Sequence, residues 1–206
     1  MIIEIIPVGS LQSNCYVLAA KDKSEAVIID PGEEENKIRK VLEKHNLRTA
    51  AVVNTHGHYD HIACDDNFGV PIYAHAEDVA LLKDPQLNMS NFLGLSFRVK
   101  SEVHSLKDKE TLKVGSIELE VIHTPGHTPG GICLLLKAPE NKVLFSGDSL
   151  FYRSIGRTDF PGASEEQLIS SIKERLLKLP DETVVYPGHG GQTTIGYERK
   201  HNSFLA

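Results

Sequence analysis

Short apolar runs alternate with amphipathic stretches along the 206 residues of the chain. From Glu33 to Asn46, apolar positions recur three and four residues apart behind three consecutive glutamates. This pattern predicts a helix, because one face is apolar and acidic residues favour a helix N-terminus. Three β-rich runs precede it, and the third ends at a Pro-Gly turn: MIIEII, NCYVLAA and EAVIID.

Later segments repeat this rhythm. The runs AAVVN and VPIYAH predict two more strands, with a short helix between them from near Asp60. Residues 84–110 show no clear period, and we interpret them as a variable connection or lid. Ser164 is predicted to begin a second helix, because Gln167 completes a capping box, and Pro180 ends it. Four further runs predict strands: SIELEVIH, GICLLLK, KVLFSGD and TVVYPG.

Two halves with a similar order of elements therefore follow one another, each with several strands followed by helix-containing segments. No linker rich in glycine, serine or proline separates them. We predict an α+β fold in which residues 1–206 form a single domain, with two mixed sheets packed face to face and flanked by helices. A chain of this length can bury a substantial core.

Charge and composition exclude several classes of partner. The formal net charge of −6 leaves no basic stripe for nucleic acid. The apolar runs are too short to span a membrane, and the N-terminus carries no secretory signal. Three scattered cysteines, Cys15, Cys64 and Cys133, are too few for a disulfide framework, so we expect a cytoplasmic protein.

Potential metal ligands follow the ends of four β-type runs. The stretch NTHGHYDH crowds three histidines and an aspartate behind AAVV, and single candidates follow in HTPGHTPGG, VLFSGDS and TVVYPGHGG. Because strand ends aim short loops at one point, we expect these side chains to converge. They are His56, His58, Asp60, His61, His127, Asp148 and His189.

The remaining histidines receive a plainer interpretation. A lone histidine is more often a surface or core hydrogen-bonding group than a ligand, and we interpret His45, His75, His104 and His201 in this way. His123 also follows a strand-like run and could support the site through a hydrogen bond to one of its loops.

Seven nitrogen and oxygen ligands are too many for one tetrahedral zinc ion. They suit two adjacent divalent metal ions that share a bridging carboxylate and a bridging hydroxide. We predict zinc, with iron or manganese as alternatives, because imidazole and carboxylate ligands do not choose among these metals. Water bound to such ions is a hydroxide nucleophile at neutral pH, so no serine or cysteine nucleophile is required.

The motifs THGHYDH, TPGHTPGG, FSGDSLF and YPGHG, in this order, resemble those of the metallo-β-lactamase superfamily. The stretches GDSLFYRSIGRTDFPGAS and GYERKHNSFL are most similar to short bacterial glyoxalase II-like, or hydroxyacylglutathione hydrolase-like, proteins. This resemblance implies a four-layer αββα sandwich with the metals at one edge of the two sheets. It also implies the ligand sets: His56, His58 and His127 for the first metal, Asp60, His61 and His189 for the second, and Asp148 as the bridge.

The same resemblance implies hydrolysis of a small thioester by a metal-bound hydroxide, with Asp60 both a ligand and an orienter of the attacking water. Arg157 aligns with a basic position that holds a carboxylate of the thiol portion, although an ion pair with Asp159 is an equal alternative. Tyr152 could line the same pocket or simply pack.

Two features depart from the family pattern. Ala63-Cys64 stands where the family commonly has Gly-Gly, so the Cys64 thiol could lie near the second metal or be a small buried residue. Full-length glyoxalase II enzymes also carry a C-terminal helical domain that binds glutathione. We expect no such domain in a chain that ends at Ala206, which leaves the thiol carrier and the oligomeric state open.

Three other functions compete with this interpretation. A mononuclear-iron persulfide dioxygenase of the same superfamily shares H-x-H-x-D-H and a similar GRTDF segment, but the intact PGHG at 187–190 favours two metals. Lactamase activity is disfavoured because Asp148 stands where that branch typically has cysteine. The third alternative is a non-catalytic metal-binding protein.

Overall fold

In a computed structural model that describes residues 1–137 and 142–206, two six-stranded sheets lie face to face. The first sheet contains, in spatial order, β1 (Ile2–Val8), β2 (Ser13–Ala19), β3 (Glu25–Ile29), β4 (Arg48–Val53), β5 (Ile72–His75) and β6 (Val103–Leu106). The second contains β7 (Thr111–Val114), β8 (Ile117–His123), β9 (Ile132–Leu136) and β10 (Val143–Gly147). A small hairpin of β11 (Leu150–Phe151) and β12 (Ser154–Ile155) precedes its last strands, β13 (Val184–Pro187) and β14 (Thr193–Thr194).

The helices are short and lie outside the two sheets or at their ends. They are α1 (Glu35–Lys44), α2 (Tyr59–Ile62), α3 (Val79–Lys83), α4 (Glu165–Ser171) and α5 (Ile195–His201). Helix α4 continues as a π-helical turn, and three 3₁₀ turns occur elsewhere, at Asp65–Phe68, Ala76–Asp78 and Ser90–Leu93. None of the helices in the described part of the chain is long and apolar enough to cross a bilayer.

Both sheets are mixed. Strands β1 to β3 pair antiparallel, and β3 to β6 pair parallel. In the second sheet β7 to β10 pair antiparallel, β10 pairs parallel with β13, and β13 pairs antiparallel with β14. The predicted arrangement of two mixed sheets is therefore confirmed.

Three apolar clusters hold four layers together. In β2, Tyr16 and Leu18 face the cluster between the sheets, whereas Cys15 and Val17 face the cluster under α1. A third cluster packs Leu168 and other α4 residues on the outer face of the second sheet. Strands buried on both faces read as continuous apolar runs, and the αββα sandwich is confirmed.

Residues 84–110 contain more regular structure than predicted. The end of this segment forms β6, whose Val103 pairs with Ile72 of β5 and completes the first sheet. Only Val103 and Leu106 of this strand are apolar, and the exposed His104 and Ser105 between them conceal the alternation expected of a strand.

The helix predicted from Ser164 is present, and its cap contacts a loop of the candidate site. Ser164 Oγ accepts a hydrogen bond from the Gln167 amide at 3.3 Å. The Ser164 amide donates to the Gly126 carbonyl at 2.7 Å, so only half of the predicted capping box forms. In place of the other half, this hydrogen bond connects the start of α4 to the loop that carries His127.

Candidate metal centre

All seven predicted ligands meet at one end of the sandwich. His56, His58, Asp60 and His61 follow β4, on the loop into α2 and within that helix. The other three come from the second sheet, where they lie just after β8, β10 and β13: His127, Asp148 and His189. The candidate centre thus lies on the seam between the sheets, as the strand-end argument predicts.

The side chains form two clusters. The first cluster is His56, His58 and His127, whose ligand nitrogens lie within 4.8 Å of one another. The second cluster is Asp60, His61 and His189, with its ligand atoms in the same range. In the first, His58 Nδ1 is 2.9 Å from His127 Nε2. In the second, Asp60 Oδ2 is 3.2 Å from His189 Nε2.

Asp148 lies between the two clusters. Its Oδ2 is 3.5 Å from His127 Nε2 and 3.7 Å from His189 Nε2, and its Oδ1 is 3.6 Å from His61 Nε2. Gly188 makes this position possible, because a Cβ at residue 188 would run into the Asp148 carboxylate. One carboxylate therefore faces both clusters.

Two orphaned atoms support a metal at this place. His56 Nε2 and Asp148 Oδ1 are buried and have no hydrogen-bond partner. A buried polar atom without a partner costs about 1–3 kcal/mol, and native structures contain few of them. Metal coordination would satisfy both atoms, so the residues present fit a metal pair.

Hydrogen bonds behind the clusters orient three of the rings. In each ring Nδ1–H donates to an oxygen, which directs Nε2 at the cluster. The pairs are His61 with Asp30 Oδ2 at 3.1 Å, His127 with the Arg157 carbonyl at 2.6 Å, and His189 with the Leu11 carbonyl at 3.1 Å.

The electrostatics differ between the clusters. Burial and neighbouring histidines lower the pKa of His56 well below its usual value and the pKa of His58 to about 3, so both rings are neutral and able to coordinate. Burial alone would lower the pKa of His61, but the Asp60 and Asp148 carboxylates raise it well above its usual value. Burial would raise the pKa of Asp60, but His61 and His189 hold it far below its usual range.

Sequence reasoning missed Asp30, which directly follows β3. Its Oδ1 accepts from the Thr55 amide at 2.7 Å, and its Oδ2 accepts from the Thr55 hydroxyl at 2.6 Å and from His61. The residue is 1% exposed and has a left-handed φ of 52°, a strained conformation typical of functional sites. The signal was available, because EAVIID ends in a carboxylate at a strand end as the other candidates do.

A second missed residue, Asp78, joins the two loops of the first cluster. Its carboxylate is fully buried and accepts from the Gly57 amide at 2.9 Å, the Thr128 hydroxyl at 2.8 Å and the Gly130 amide at 2.6 Å. Gly57 lies between His56 and His58, and Thr128 follows His127. A Cβ at Gly130 would collide with Asp78, so glycine is required at that close approach. The sequence around Asp78 gives no sign of this role.

The two substrate-binding candidates have different outcomes. Arg157 lines the cleft over the clusters, but its guanidinium also makes two hydrogen bonds to Asp159, at 3.0 and 2.7 Å. Of the two alternatives for Tyr152, lining the cleft or packing, the structure favours packing. Tyr152 lies in the β11–β12 turn and stacks on Tyr197, and its neighbour Phe151 is the one that faces the site, since successive side chains of extended chain point in opposite directions.

Cys64 and His123 have structural roles. The Cys64 side chain is 6% exposed, and burial raises its pKa to about 11, which supports the interpretation as a small buried residue. His123 Nε2 donates to the Pro129 carbonyl at 2.9 Å and so supports the loop that carries His127. His123 also groups with His75 and Glu77, but His123 Nε2 is hydrogen-bonded to the Pro129 carbonyl and His75 Nδ1 accepts from the Glu77 amide at 3.4 Å.

The chain is similar to known proteins over its whole length. A family model of the metallo-β-lactamase superfamily matches residues 8–189. The chain is 39% identical to hydroxyacylglutathione hydrolase GloC of Haemophilus influenzae over 213 residues, covering 100% of this chain and 98% of that protein.

Solved structures share the fold. The crystal structure of the BLEG-1 B3 metallo-β-lactamase superposes with a TM-score of 0.92 at 41% identity, covering 100% of both chains. TTHA1623, in a di-iron-bound form, gives 0.84 at 35% identity and covers 98% of this chain and 100% of that one. ETHE1 from Myxococcus xanthus gives 0.80 at 27%, with coverage of 98% and 84%.

Proposed function

Since the chain belongs to the metallo-β-lactamase superfamily, we propose that it is a dinuclear metal-dependent hydrolase, with residues 1–206 as one catalytic domain that acts on a small thioester. The observation that carries the proposal is the division of the ligands into two clusters with Asp148 between them. The first cluster would hold one ion, the second cluster the other, and Asp148 would bridge them. Similarity to GloC of Haemophilus influenzae supports a thioester substrate.

The bound ions would supply a hydroxide at neutral pH and polarise the substrate carbonyl. Asp60 lines the cleft as an ionised carboxylate, so it can accept a hydrogen bond from the attacking water while it serves as a ligand. The cysteine thiols take no part, because burial raises the pKa of Cys15, Cys64 and Cys133. A thiolate is a good leaving group that needs little acid assistance, so the hydrolysis requires no further acidic side chain.

Zinc is the metal we propose, with iron or manganese as alternatives, because the ligands are imidazoles and carboxylates. The solved di-iron form belongs to TTHA1623, a relative at 35% identity. We propose a cytoplasmic location, which the three buried free thiols support.

The first test is metal analysis of protein purified without added metal, with the same sample assayed for S-lactoylglutathione hydrolysis. About two ions per chain with thioester turnover that chelation abolishes is the expected result. One iron per chain with oxygen uptake on glutathione persulfide would instead assign the protein to the dioxygenase alternative. Loss of thermal stability on chelation without any turnover would indicate a structural metal site.

A second candidate function is β-lactam hydrolysis, and the similarity to the BLEG-1 B3 metallo-β-lactamase favours it. Ions held by the two clusters would supply the same hydroxide chemistry for a lactam carbonyl, which is an acyl carbon like that of a thioester. A chromogenic cephalosporin should be assayed beside the thioester on the same preparation. Turnover of the cephalosporin without turnover of any thioester would replace the thioesterase assignment.

The ion pair of Arg157 with Asp159 gives a prediction about substrate binding. If the guanidinium holds a substrate carboxylate, Arg157→Ala should raise KM about three- to tenfold with little change in kcat, because an exposed charge pair contributes modestly. Asp159→Ala should lower KM, because it frees the guanidinium. Steady-state kinetics of the two variants decide the point, and unchanged KM in both would leave Arg157 a purely structural residue.

A further inference from the structure

Apolar side chains surround the candidate metal pair on the open side. A cleft of about 550 Å³ gives access to both clusters. Phe92 is 75% exposed, Leu93 55% and Leu11 53%, although side chains of this kind are usually buried. Contiguous exposed apolar surface marks a binding site more often than chance exposure does. The apolar residues that line this cleft are Leu11, Met89, Phe92, Leu93, Phe151 and Phe160.

The exposed tip at residues 89–93 has a firm base. The Asn88 side chain is buried, and its Oδ1 accepts from the Ser90 amide at 3.0 Å while its Nδ2 donates to the Phe97 carbonyl at 3.0 Å. The Asn88 carbonyl accepts from the Tyr59 amide at 2.8 Å, between His58 and Asp60. The tip is therefore attached directly to the segment that carries four of the candidate ligands.

Aromatic rings flank both clusters. The Phe160 ring centroid lies 5.2 Å from that of His58 and 5.9 Å from that of His127, in the first cluster. The Phe151 centroid lies 6.2 Å from that of His189, in the second cluster. A carbonyl positioned between the clusters would therefore have apolar wall on either side.

Cationic groups are scarce in the same place. Among the described residues that line the cleft, apart from the ligand histidines, Arg157 is the one cationic side chain, and its guanidinium is engaged by Asp159. A glutathione thioester presents two carboxylates, but the cleft offers them only the Arg157 guanidinium, which already pairs with Asp159. An apolar substrate group requires no cationic partner.

We propose that the substrate is a thioester with an apolar group on its acyl or thiol portion, which packs against Met89, Phe92 and Leu93. This inference rests on the proposed thioester hydrolysis and names its substrate class. The cleft selects apolar bulk by burying it, whereas the metal-facing end acts on the thioester carbonyl. Phe92 and Leu93 are thus specificity-determining residues.

Two substrate series on zinc-loaded protein test the proposal. In the first series the thiol is N-acetylcysteamine and the acyl group lengthens from acetyl to hexanoyl. In the second series the acyl group is acetyl and the thiol lengthens from ethanethiol to hexanethiol. Full burial of four methylenes would raise kcat/KM more than about a hundredfold, and we expect about tenfold in one series because the cleft is open. The series that responds identifies the apolar portion.

Matched variants connect this gain to the tip. Phe92→Ser should reduce the gain to about threefold or less, because it removes the largest exposed apolar side chain of the cleft. Leu95→Ser is the control: Leu95 is 43% exposed on the same segment but does not line the cleft, so the gain should persist. Equal kcat/KM along both series, or a gain that Phe92→Ser leaves intact, would overturn the proposal.

Two further readouts separate the remaining outcomes. If no thioester is hydrolysed, the proposed function fails, and calorimetric binding of hexanoate against acetate to the zinc-loaded protein then decides the cleft separately. Hexanoate should bind about tenfold more tightly, and equal affinities would overturn the apolar site. If light scattering shows that Phe92→Ser dissociates a dimer while substrate preference stays the same, the tip is a contact between copies and the proposal is wrong.

Discussion

Replacing Asp148 with alanine is expected to lower metal-dependent thioester turnover by at least about a thousandfold. The Asp148 carboxylate lies 3.5–3.7 Å from ring nitrogens of both clusters. Its removal would leave two adjacent cations without the anion between them, so metal content should fall from about two ions per chain to one or fewer. Elemental analysis and kcat on the same sample measure both effects.

Two further variants separate the loss of one metal site from the loss of the bridging charge. His58→Ala should also abolish turnover but should deplete only the first cluster, because His58 groups with His56 and His127 and not with the residues of the second cluster. Asp148→Asn keeps the shape and removes the charge, so it should retain a folded protein with far lower metal affinity. Normal turnover in Asp148→Ala would exclude the dinuclear mechanism.

The second large effect is expected at Asp78, which belongs to none of the predicted ligand motifs. Asp78→Ala leaves the Gly57 amide, the Thr128 hydroxyl and the Gly130 amide without their buried acceptor. Each lost partner costs about 1–3 kcal/mol, so the free energy of unfolding should fall by about 3 kcal/mol or more. Metal affinity of the first cluster should fall about 10–100-fold, as is typical when a group that supports ligands is removed.

A zinc titration against a competing chelator resolves this effect from general damage. The binding step of the first cluster should weaken most in Asp78→Ala, because Gly57 and Thr128, two of its hydrogen-bond donors, are direct neighbours of His56, His58 and His127. Thr128→Val removes one of the three bonds and should give a smaller change in the same step. If alanine prevents folding, Asp78→Asn, which keeps an acceptor oxygen, serves instead. Equal weakening of both steps would show that Asp78 stabilises the fold without positioning the first cluster.

The convergence of the candidate ligands could be predicted from the ends of the strands. Each candidate ligand lies in a short loop after an apolar run, and rigid strands fix where such loops meet. Asp30 also follows the end of a strand, so its place at the site could be predicted in the same way. The role of Asp78 could not be predicted, because it arises from hydrogen bonds to residues 21 and 50–52 positions away, which no local pattern records.

The features that the sequence left open have equally local causes. Tyr152 lies close to Arg157 in the chain, but a two-residue turn between β11 and β12 places it against Tyr197. Strand β6 could not be predicted from the sequence, because it is an edge strand with two exposed polar residues. Tertiary context decides both cases, and neither turn direction nor edge position can be read from hydrophobic period alone.

The position of the candidate centre on the seam between the sheets has a consequence for how long the protein persists in a cell. Strand β2 of the first sheet reaches the loop of His189 through the Tyr16 hydroxyl, 2.5 Å from the Pro187 carbonyl, and through Asn14 Nδ2, 2.9 Å from the same oxygen. Ions bound across this seam would hold the two sheets to each other, so metal uptake and sheet association are linked equilibria. Metal-starved protein is therefore expected to open more often and to be degraded faster, so that its abundance, and not only its activity, follows the metal supply.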